Sequence, residues 1–279
     1  MSVSCNRSRN AFICVNLSGR SEGICANRRT PLGLYLRPAI QRWAPLFSRE
    51  KLIIFEWIFG SKFAIMYEMI ITYFGKQFFK IAQGEMALAF NPISKQSGNS
   101  KPGGPARFGA DIALSTTNHP DYNGLEQVEH GERKPFVISG PGDYEVKEIF
   151  VKGAMSESVL GGKKYINTIY ALSLDNISLA FLGALSNPEL SQEAQEAVGS
   201  PDVLFIPVDG AGLLDAKASA KLASTLEPKM IIPMDYDEKS LKTFLKEIGE
   251  EKAEMVDKVT IKRKDLEGKE GEVVVVKSS

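Results

Sequence analysis

The part of the sequence best suited to chemistry is a polar turn that follows an apolar run. Residues 110–115 read Ala-Asp-Ile-Ala-Leu-Ser, which is typical of a strand buried in a sheet, and residues 117–122 read Thr-Asn-His-Pro-Asp-Tyr. The imidazole of His119 and the carboxylate of Asp121 are groups that can bind metal ions or transfer protons. Because functional side chains are often carried by loops on a rigid scaffold, we expect the chemistry at this strand end.

The elements around this turn change in character along the chain. From residue 69, short β-rich runs separated by turn residues predict an antiparallel meander. Asp175 and Asn176 link two apolar runs, and both residue types tolerate positive φ, so they predict a hairpin with a primed turn. After the hairpin, helical and strand patterns alternate.

These patterns define a set of predicted elements. Strands are predicted over residues 70–74, 77–81, 86–90, 110–115, 136–139, 144–153, 168–174, 177–182, 202–208, 230–234, 259–263 and 272–277, and helices over residues 188–198, 215–226 and 238–249. A meander followed by helix-strand units predicts an α/β (α+β) fold in which two sheets pack face to face with helices outside.

Charge is distributed unevenly, although the whole chain is neutral with 34 basic and 34 acidic residues. Residues 1–68 carry ten Lys and Arg against four Glu, a net charge of +6, so residues 69–279 carry −6. We therefore predict an N-terminal extension over residues 1–68 and one domain over residues 69–279. The acidic domain does not favour a nucleic-acid partner. The three cysteines all lie in the extension, and their odd number and lack of CxxC spacing predict neither a disulfide framework nor a zinc site.

The extension has no sustained periodicity over residues 1–49 and is expected to be poorly ordered. Residues 52–68 are mostly apolar, but they include Glu56, Lys62 and Glu68. The free energy of placing these three charges in a bilayer would offset the favourable transfer of the apolar side chains. A signal peptide would reach its apolar run within about 30 residues, which is earlier than here. We expect a dispensable extension or a natural start at Met66 or Met69, with targeting or anchoring as the alternative. We expect a cytoplasmic location and no association with a membrane.

Several stretches of the domain carry a family resemblance. They are residues 71–75 (Ile-Thr-Tyr-Phe-Gly), 78–81 (Phe-Phe-Lys-Ile), 140–145 (Gly-Pro-Gly-Asp-Tyr-Glu), 181–183 (Phe-Leu-Gly) and 231–236 (Ile-Ile-Pro-Met-Asp-Tyr). In this order, together with the turn after residue 115, they resemble the metallo-β-lactamase superfamily. Within it they are most similar to the branch of single-domain hydrolases that includes L-ascorbate 6-phosphate lactonase. The resemblance covers nearly all of residues 69–279 and implies a hydrolase-like protein with a four-layer αββα sandwich.

The resemblance also implies a metal motif that this chain has largely lost. Members of the superfamily place a His-x-His-x-Asp-His motif at the end of the fourth strand, where it converges on two zinc ions. His119 and Asp121 match this motif, whereas Thr117 and Tyr122 stand where histidines are expected.

The other ligand positions implied by the resemblance are altered as well. Ala184 stands where a bridging aspartate follows a Leu-Gly pair, Asp235 replaces a late-strand histidine, and no histidine lies near residues 156–158. His119 and His130 are the only histidines in the chain, so a dinuclear zinc site with four or five imidazoles is not expected. His130 is expected to be a solvated loop residue.

The residues that remain are His119, Asp121 and Asp235, with Glu157 or Tyr122 as further candidates. Carboxylates with one imidazole could bind one divalent metal ion, and they suit Mn or Mg better than Zn. Asp121 would then be a ligand or the general base of a metal-assisted hydrolase of a lactone, ester or phosphoester.

With most zinc ligands replaced, we expect a hydrolase-like protein that is weakly active or inactive; such a metal-assisted hydrolase is one alternative, and a non-catalytic binding module is the other. Asp121 would then cap the short helix that starts near Gly124, and His119 would be a hydrogen-bonded loop residue. A small molecule is the expected partner in either case, and the oligomeric state is not predicted. Residues 161–164 (Gly-Gly-Lys-Lys) and 209–212 (Asp-Gly-Ala-Gly) are typical of turns, with phosphate or anion binding as the alternative.

Overall fold

The computed structural model of the chain describes residues 6–8, 11–13, 68–99, 108–132, 134–208 and 211–279. The chain divides into two units, Met1–Ala64 and Ile65–Ser279. In the first unit, two short strands, β1 (Asn6–Ser8) and β2 (Ala11–Ile13), pair antiparallel. The expected disorder of the extension and the apolar stretch 52–68 fall mainly outside the described residues, so both stay predictions, as does the domain boundary. Within the described ranges, no helix combines the length and apolar character needed to cross a membrane.

The first sheet of the second unit contains the predicted meander. Its strands β3, β4 and β5 pair antiparallel in sequence, and β6 and β7 then add parallel. A late strand, β15, joins the other edge beside β3. The bounds are β3 Met69–Tyr73, β4 Phe79–Gln83, β5 Met86–Phe90, β6 Ile112–Ser115, β7 Phe136–Ser139 and β15 Val259–Ile261.

The second sheet has eight strands, and its order is β14-β16-β13-β12-β11-β10-β9-β8. Strands β8 to β11 pair antiparallel, and β11, β12, β13, β16 and β14 run parallel. The bounds are β8 Gly142–Val146, β9 Ile149–Leu160, β10 Lys163–Leu174, β11 Ile177–Phe181, β12 Val203–Pro207, β13 Met230–Met234, β14 Glu254–Val256 and β16 Glu272–Val276.

Three α-helices in the described residues share a buried apolar cluster with the eight-stranded sheet: α1 Gln192–Val198, α2 Ala216–Leu226 and α3 Glu238–Ile248. Their ends are set by local chemistry. The side chain of Asp215 accepts a hydrogen bond from Ala218 N at the start of α2, and Asp237 and Ser240 form a capping box at the start of α3. Gly249 ends α3 in the left-handed conformation that glycine adopts without strain.

The layers are held by three apolar clusters. The largest lies between the two sheets and includes stacked rings of Phe90 and Phe181, whose centroids are 4.7 Å apart. A second lies between the eight-stranded sheet and the helices. The third includes residues of the six-stranded sheet, such as Ala89 and Ala113, together with Val128 of the 3₁₀ helix Leu125–Val128. The predicted two-sheet sandwich is confirmed, with a thin outer layer over the six-stranded sheet among the described residues.

Most predicted elements are confirmed within two residues, and the differences have local causes. The segment predicted as one strand over 144–153 is two strands, because Lys147 and Glu148 both have positive φ and form a tight turn between β8 and β9. Helix α1 begins at Gln192 rather than at residue 188, since Ser191 caps it. The short strand β14 was not predicted, and neither were the outer halves of β9 and β10, residues 154–160 and 163–167, which pair with each other. The hairpin at Asp175 and Asn176 is confirmed, with φ of 48° and 60° and Leu174 paired with Ile177.

Candidate functional site

Polar side chains from five segments meet through hydrogen bonds and one ion pair. The segments are the turn after β3, the residue after β5, the loop after β6, strand β10 and the residue after β13. All of these side chains are buried except that of Lys76, which is 31% exposed. This set is called the polar centre here, and it consists of Lys76, Gln77, Asn91, Thr116, Thr117, Tyr122, Asn167 and Asp235.

Asp235 is the acidic residue of the polar centre, and only 2% of its side chain is exposed. Its Oδ1 lies 2.9 Å from the Nζ of Lys76. Its Oδ2 accepts a hydrogen bond from the hydroxyl of Tyr122 at 2.8 Å and a longer one from Gln77 Nε2 at 3.3 Å. Both carboxylate oxygens therefore have partners within the protein, and the negative charge is balanced by the ammonium of Lys76.

The backbone also ties Asp235 to the turn after β3. Asp235 N donates to the carbonyl of Lys76 at 2.9 Å, and the hydroxyl of Tyr73 donates to the same carbonyl at 2.7 Å. Lys76 and Asp235 both have left-handed backbones, with φ of 53° and 50°. Burial raises the pKa of Tyr73 well above its ordinary value, and the nearby charge of Asp235 raises it further. The hydroxyl of Tyr73 is therefore a permanent donor at neutral pH.

A row of amides extends this network to the loop after β6. Asn91 Nδ2 donates to Gln77 Oε1 and to Thr116 Oγ1, both at 2.9 Å, and its Oδ1 accepts from Thr116 N at 2.8 Å. Asn91 and Gln77 are fully buried. Their amides can satisfy both donors and acceptors, so the network stays paired without solvent.

Asn167 of β10 joins the loop after β6 to the turn after β11. Its Oδ1 accepts from Thr117 Oγ1 at 3.1 Å and from Ala184 N at 2.9 Å. Its Nδ2 donates to Ser156 Oγ at 2.8 Å and to the carbonyl of Leu182 at 2.9 Å. The side chain of Thr117 and the backbone of Ala184 are thus bound to one buried amide.

Close packing at this junction explains the glycine in the turn after β11. Gly183 has φ of 62°, and a Cβ there would lie 2.6 Å from Asn167 Oδ1 and 2.7 Å from Thr116. Tyr170, on the neighbouring strand β10, has its pKa raised to about 12 by burial and donates to the carbonyl of Ser115 at 3.0 Å. The end of β6 is therefore held from within the sheet sandwich.

His119 and Asp121 lie together at the outer side of the polar centre. The Nδ1 of His119 is 3.9 Å from Asp121 Oδ2 and accepts a hydrogen bond from Asp121 N at 3.3 Å, so the neutral ring carries its proton on Nε2. The prediction that His119 is a hydrogen-bonded loop residue is confirmed. Its ring stands edge-on to Tyr165, with centroids 5.6 Å apart.

The carboxylate of Asp121 holds a neighbouring loop. Its Oδ1 accepts from the hydroxyl of Ser97, and its Oδ2 accepts from Asn99 Nδ2 at 3.0 Å. The expectation that Asp121 caps the helix after Gly124 is wrong, because that helix has no side-chain cap. The loop that contains Ser97 comes within reach of Asp121 through a backbone contact, Ser94 N to the carbonyl of Pro120 at 2.8 Å.

The three predicted metal ligands are not brought together as one ligand set. His119 and Asp121 are neighbours, whereas the oxygens of Asp235 are occupied by other side chains. Among the described residues, no group of three or more His, Cys, Asp or Glu side chains could hold a metal ion. The donor set does not fit the metal pair of the superfamily, because Thr117, Tyr122 and Asp235 are engaged with protein partners. His119, Asp121 and Asp235 as ligands, and Asp121 as a catalytic group, stay a prediction.

A groove lies beside this region, on the hairpin formed by β9 and β10. It has a volume of about 430 Å³, which is within the range of small-molecule sites. Two of its apolar side chains, Met155 and Ile166, are more than half exposed at 57% and 61%. We call it the Tyr165 groove, and it is lined by Met155, Ser156, Glu157, Lys164, Tyr165, Ile166, Leu185, Asn187, Glu189 and Ser191.

The remaining candidates lie apart from the polar centre or outside the described residues. Glu157 is exposed and pairs with Lys164 at 3.4 Å. Residues 161–164 form the tip of the β9-β10 hairpin, with positive φ at Gly161 and Gly162, so the predicted turn is confirmed. His130 is exposed, as predicted. The stretch 209–212 is only partly described.

Sequence reasoning missed Lys76, Gln77, Asn91 and Asn167. A signal was present for Asn91, which directly follows the apolar run of β5, and a weaker one for Asn167, which directly precedes the strand predicted over residues 168–174. Amides at such positions need buried partners, and they are therefore candidates for a network. Lys76 carried no comparable signal, because a lysine in a turn is ordinarily solvated.

Fold and site together define a class of protein: a two-sheet αββα sandwich in which loops at strand ends form one polar site. A family model described as "Beta-lactamase superfamily domain" matches residues 70–235, which is more than half of the chain. The chain belongs to this family, and the resemblance to the metallo-β-lactamase superfamily is confirmed. The branch that includes L-ascorbate 6-phosphate lactonase stays a prediction.

Solved structures support the fold. A metallo-β-lactamase superfamily protein from Thermotoga maritima is 23% identical, with a TM-score of 0.56, and the match covers 75% of this chain and 100% of that one. An isothiocyanate hydrolase from Delia radicum gut bacteria is 8% identical with a TM-score of 0.51, covering 76% and 97%. A metallo-β-lactamase fold protein from Bacillus subtilis is 10% identical with a TM-score of 0.50, covering 76% and 98%. Among curated protein sequences, none matches the chain significantly.

Proposed function

We propose that this protein is a non-catalytic member of its superfamily that keeps the fold as a binding module for a small molecule. The observation that carries the proposal is the pairing of the polar centre. The side chains of Thr117, Tyr122 and Asp235 at the former ligand positions are hydrogen-bonded to protein groups. A hydrolytic site needs groups that are free to polarise a substrate or to accept a proton from water. The polar centre supplies none of these and acts instead as a rigid support.

The Tyr165 groove is the proposed binding site. Met155 and Ile166 would contact an apolar part of the ligand, while Asn187, Glu189 and Ser191 would bind hydroxyl or amine groups. Such a division, with apolar walls and a few polar groups, is typical of small-molecule sites. The contact between Tyr165 and His119 would link the groove to the polar centre.

Metal dependence is the first test of this function. We expect less than stoichiometric metal in protein purified without chelators, and no rise in melting temperature with Zn²⁺ or Mn²⁺. We also expect His119→Ala and Asp121→Ala to leave the response to metal unchanged, with the exposed His130→Ala as the matched control. A stoichiometric metal ion that is lost in Asp121→Ala would overturn the proposal.

Binding in the groove is the second test. Hexyl glucoside combines an apolar chain with hydroxyl groups and can be followed by NMR through the ¹³C methyl signals of methionine. We expect it to shift the signal of Met155 and not that of Met255, an equally exposed methionine on β14 that serves as an internal control. Equal shifts at both methionines would show nonspecific contact and would contradict the groove as a site.

A second candidate function is a metal-assisted hydrolase of a lactone, ester or phosphoester. The observation in its favour is that His119 and Asp121 lie side by side and partly exposed, with side-chain exposures of 27% and 17%. In this case Asp121 would be a ligand or general base, with His119 and Asp235 as ligands for one Zn, Mn or Mg ion. Metal-stimulated hydrolysis of such substrates that is lost in Asp121→Ala would favour this function. A cytoplasmic location and the lack of a nucleic-acid partner stay predictions.

A further inference from the structure

The ion pair inside the polar centre carries an inference that does not depend on what the protein binds. Asp235 is almost fully buried, and its Oδ1 faces the ammonium of Lys76 at 2.9 Å. A buried carboxylate needs a positive charge close by, since water no longer solvates it. In this chain the ammonium of Lys76 supplies that charge.

The backbone of the turn indicates that Lys76 is held in position for this purpose. Its φ of 53° lies in the left-handed region, which a lysine rarely adopts and which the neighbouring Gly75 would adopt without strain. Its carbonyl is fixed by hydrogen bonds from Asp235 N and from Tyr73, so main chain and side chain both contact Asp235 or its neighbours. A strained residue that the surroundings hold in this way indicates a specific role for its side chain.

The second oxygen of the carboxylate is closed to an outside cation. Oδ2 accepts from Tyr122 at 2.8 Å and from Gln77 at 3.3 Å. A metal ion could approach Asp235 only by displacing the ammonium from Oδ1. The side chain of Lys76 is 31% exposed, so it borders on solvent, whereas the side chain of Asp235 is only 2% exposed.

We infer that the ε-ammonium of Lys76 is a built-in cation that replaces a metal ion at Asp235, and that removing it turns this position into a binding site for small cations. Lys76 is a positioning residue in this scheme: its ammonium holds the carboxylate of Asp235 in place, and Asp235 in turn orients Tyr122. The ligand class of the opened site is a primary alkylammonium ion or a divalent cation.

Chemical rescue of the full-length protein tests this inference. Lys76→Ala removes three methylenes and the ammonium, and n-propylammonium has the same atoms. We expect the melting temperature of Lys76→Ala to fall by about 10 °C, the effect of breaking a buried pair in a domain of this size. We expect n-propylammonium chloride to restore most of this loss saturably, and sodium chloride at equal ionic strength not to do so.

Two variants separate this effect from general stabilisation. Lys76→Met fills the same space without a charge, so it should be destabilised but unresponsive to n-propylammonium. Lys242→Ala removes an exposed lysine that pairs with Glu238 on α3, and it should respond to neither salt. Mn²⁺ should raise the melting temperature of Lys76→Ala and leave the wild-type protein unchanged.

A double variant keeps the inference testable if Lys76→Ala does not fold. Asp235→Asn removes the charge that needs a counterion, so the double variant Lys76→Met, Asp235→Asn should be more stable than Lys76→Met alone. A double variant that is no more stable would overturn the inference. So would a Lys76→Ala protein as stable as the wild type, or one that n-propylammonium and sodium chloride affect equally. Metal binding by the wild type at another position would contradict the proposed function and leave this inference standing.

Discussion

At the scale of single residues, the polar centre depends on a few side chains that are held by hydrogen bonds and an ion pair. Asp235 is held by Lys76 and Tyr122, and Asn167 holds the neighbouring turn. Each buried donor or acceptor in the set would be costly to leave unpaired, because water cannot replace a lost partner. Single substitutions here should therefore affect stability more than binding in the groove.

Tyr122 is the first case at this scale. Tyr122→Phe removes the hydroxyl that donates to Asp235 and leaves the ring in place. We expect a loss of about 2 kcal/mol in the free energy of unfolding, since hydrogen bonds to charged groups contribute about 1.5–3 kcal/mol. Urea denaturation would measure it, with Tyr165→Phe as the control at the groove. A loss no larger than that of the control would contradict the role assigned to the hydroxyl.

Asn167 is the second case. Asn167→Ala leaves Thr117 Oγ1, Ala184 N and the carbonyl of Leu182 without the side chain that now binds them. We expect a loss of about 3 kcal/mol, because several buried groups lose their partner at once. Asn118, an exposed amide in the loop after β6, provides a matched Asn→Ala control that should cost less than about 0.5 kcal/mol. Equal costs at the two positions in urea denaturation would refute this prediction.

At the scale of elements, connections between strands decide how the site is aligned. The β10-β11 hairpin sets β11, and β11 ends at the turn that contains Gly183 and Ala184. The parallel strands β11 and β12 are joined near their starts by Asp202, whose Oδ2 accepts from Ser178 N at 2.8 Å and whose Oδ1 pairs with Lys229 at 2.6 Å. Local interactions far from the polar centre thus control where it forms.

The backbone conformation of the hairpin turn predicts how substitutions of Asn176 change stability. Asn176 has φ of 60°, which Asn tolerates and a β-branched residue does not. Asn176→Val should lower stability by about 1–2 kcal/mol, whereas Asn176→Gly should be neutral or slightly stabilising. Thermal denaturation of the pair measures this difference. Equal melting temperatures for the two variants would show that the turn is not a constraint.

The contacts of Asp202 predict how the stability of the protein depends on pH. Burial raises the pKa of this carboxyl, but hydrogen bonds from Lys229 and Ser178 outweigh burial and hold the pKa below its ordinary value. Its contribution to stability is therefore fully present above about pH 4, the ordinary pKa of Asp, and is lost as pH falls through the lower folded-state pKa. Asp202→Asn should cost about 1 kcal/mol at pH 7, less than a fully buried pair because Lys229 is partly exposed. Urea denaturation should show the gap between variant and wild type narrowing below pH 4, and a gap that does not change with pH would contradict this account.

At the scale of the whole molecule, the two sheets close around one core. Strand β3 lies inside the six-stranded sheet, between β4 and β15, although it comes first in the second unit. Late strands complete the sheets begun by early ones, as β15 does beside β3 and β16 does beside β13. The domain therefore needs its chain from β3 to β16 to fold.

A shortened protein tests this view. A chain that begins at Met66 keeps β3 intact and keeps the ion pair between Glu68 and Lys262. We expect it to unfold in one cooperative transition, with a melting temperature within about 3 °C of the full chain, since about 1 kcal/mol corresponds to 2–4 °C at this size. Circular dichroism would follow the transition, and a chain beginning at Ile81 should fail to fold. A large loss in the Met66 protein would assign the first 65 residues a part in folding.

The sequence by itself determined the order of most strands and helices, the hairpin at Asp175 and Asn176, and the number of imidazoles, which is two in the whole chain. The elements and the hairpin depend on local preferences, such as alternation of apolar residues, turn residues that tolerate positive φ and helix caps. It also placed His119 and Asp121 together, because they share one turn.

Only the tertiary structure decided the partners of Asp235. Lys76, Tyr122 and Asp235 are distant in the sequence, and no local pattern states which lysine meets which carboxylate. The pairing follows from the packing of the two sheets, which brings the turn after β3, the loop after β6 and the end of β13 to one point. The buried carboxylate of Asp235 then requires a nearby cation. Lys76 provides it, because its ammonium lies within reach of Oδ1.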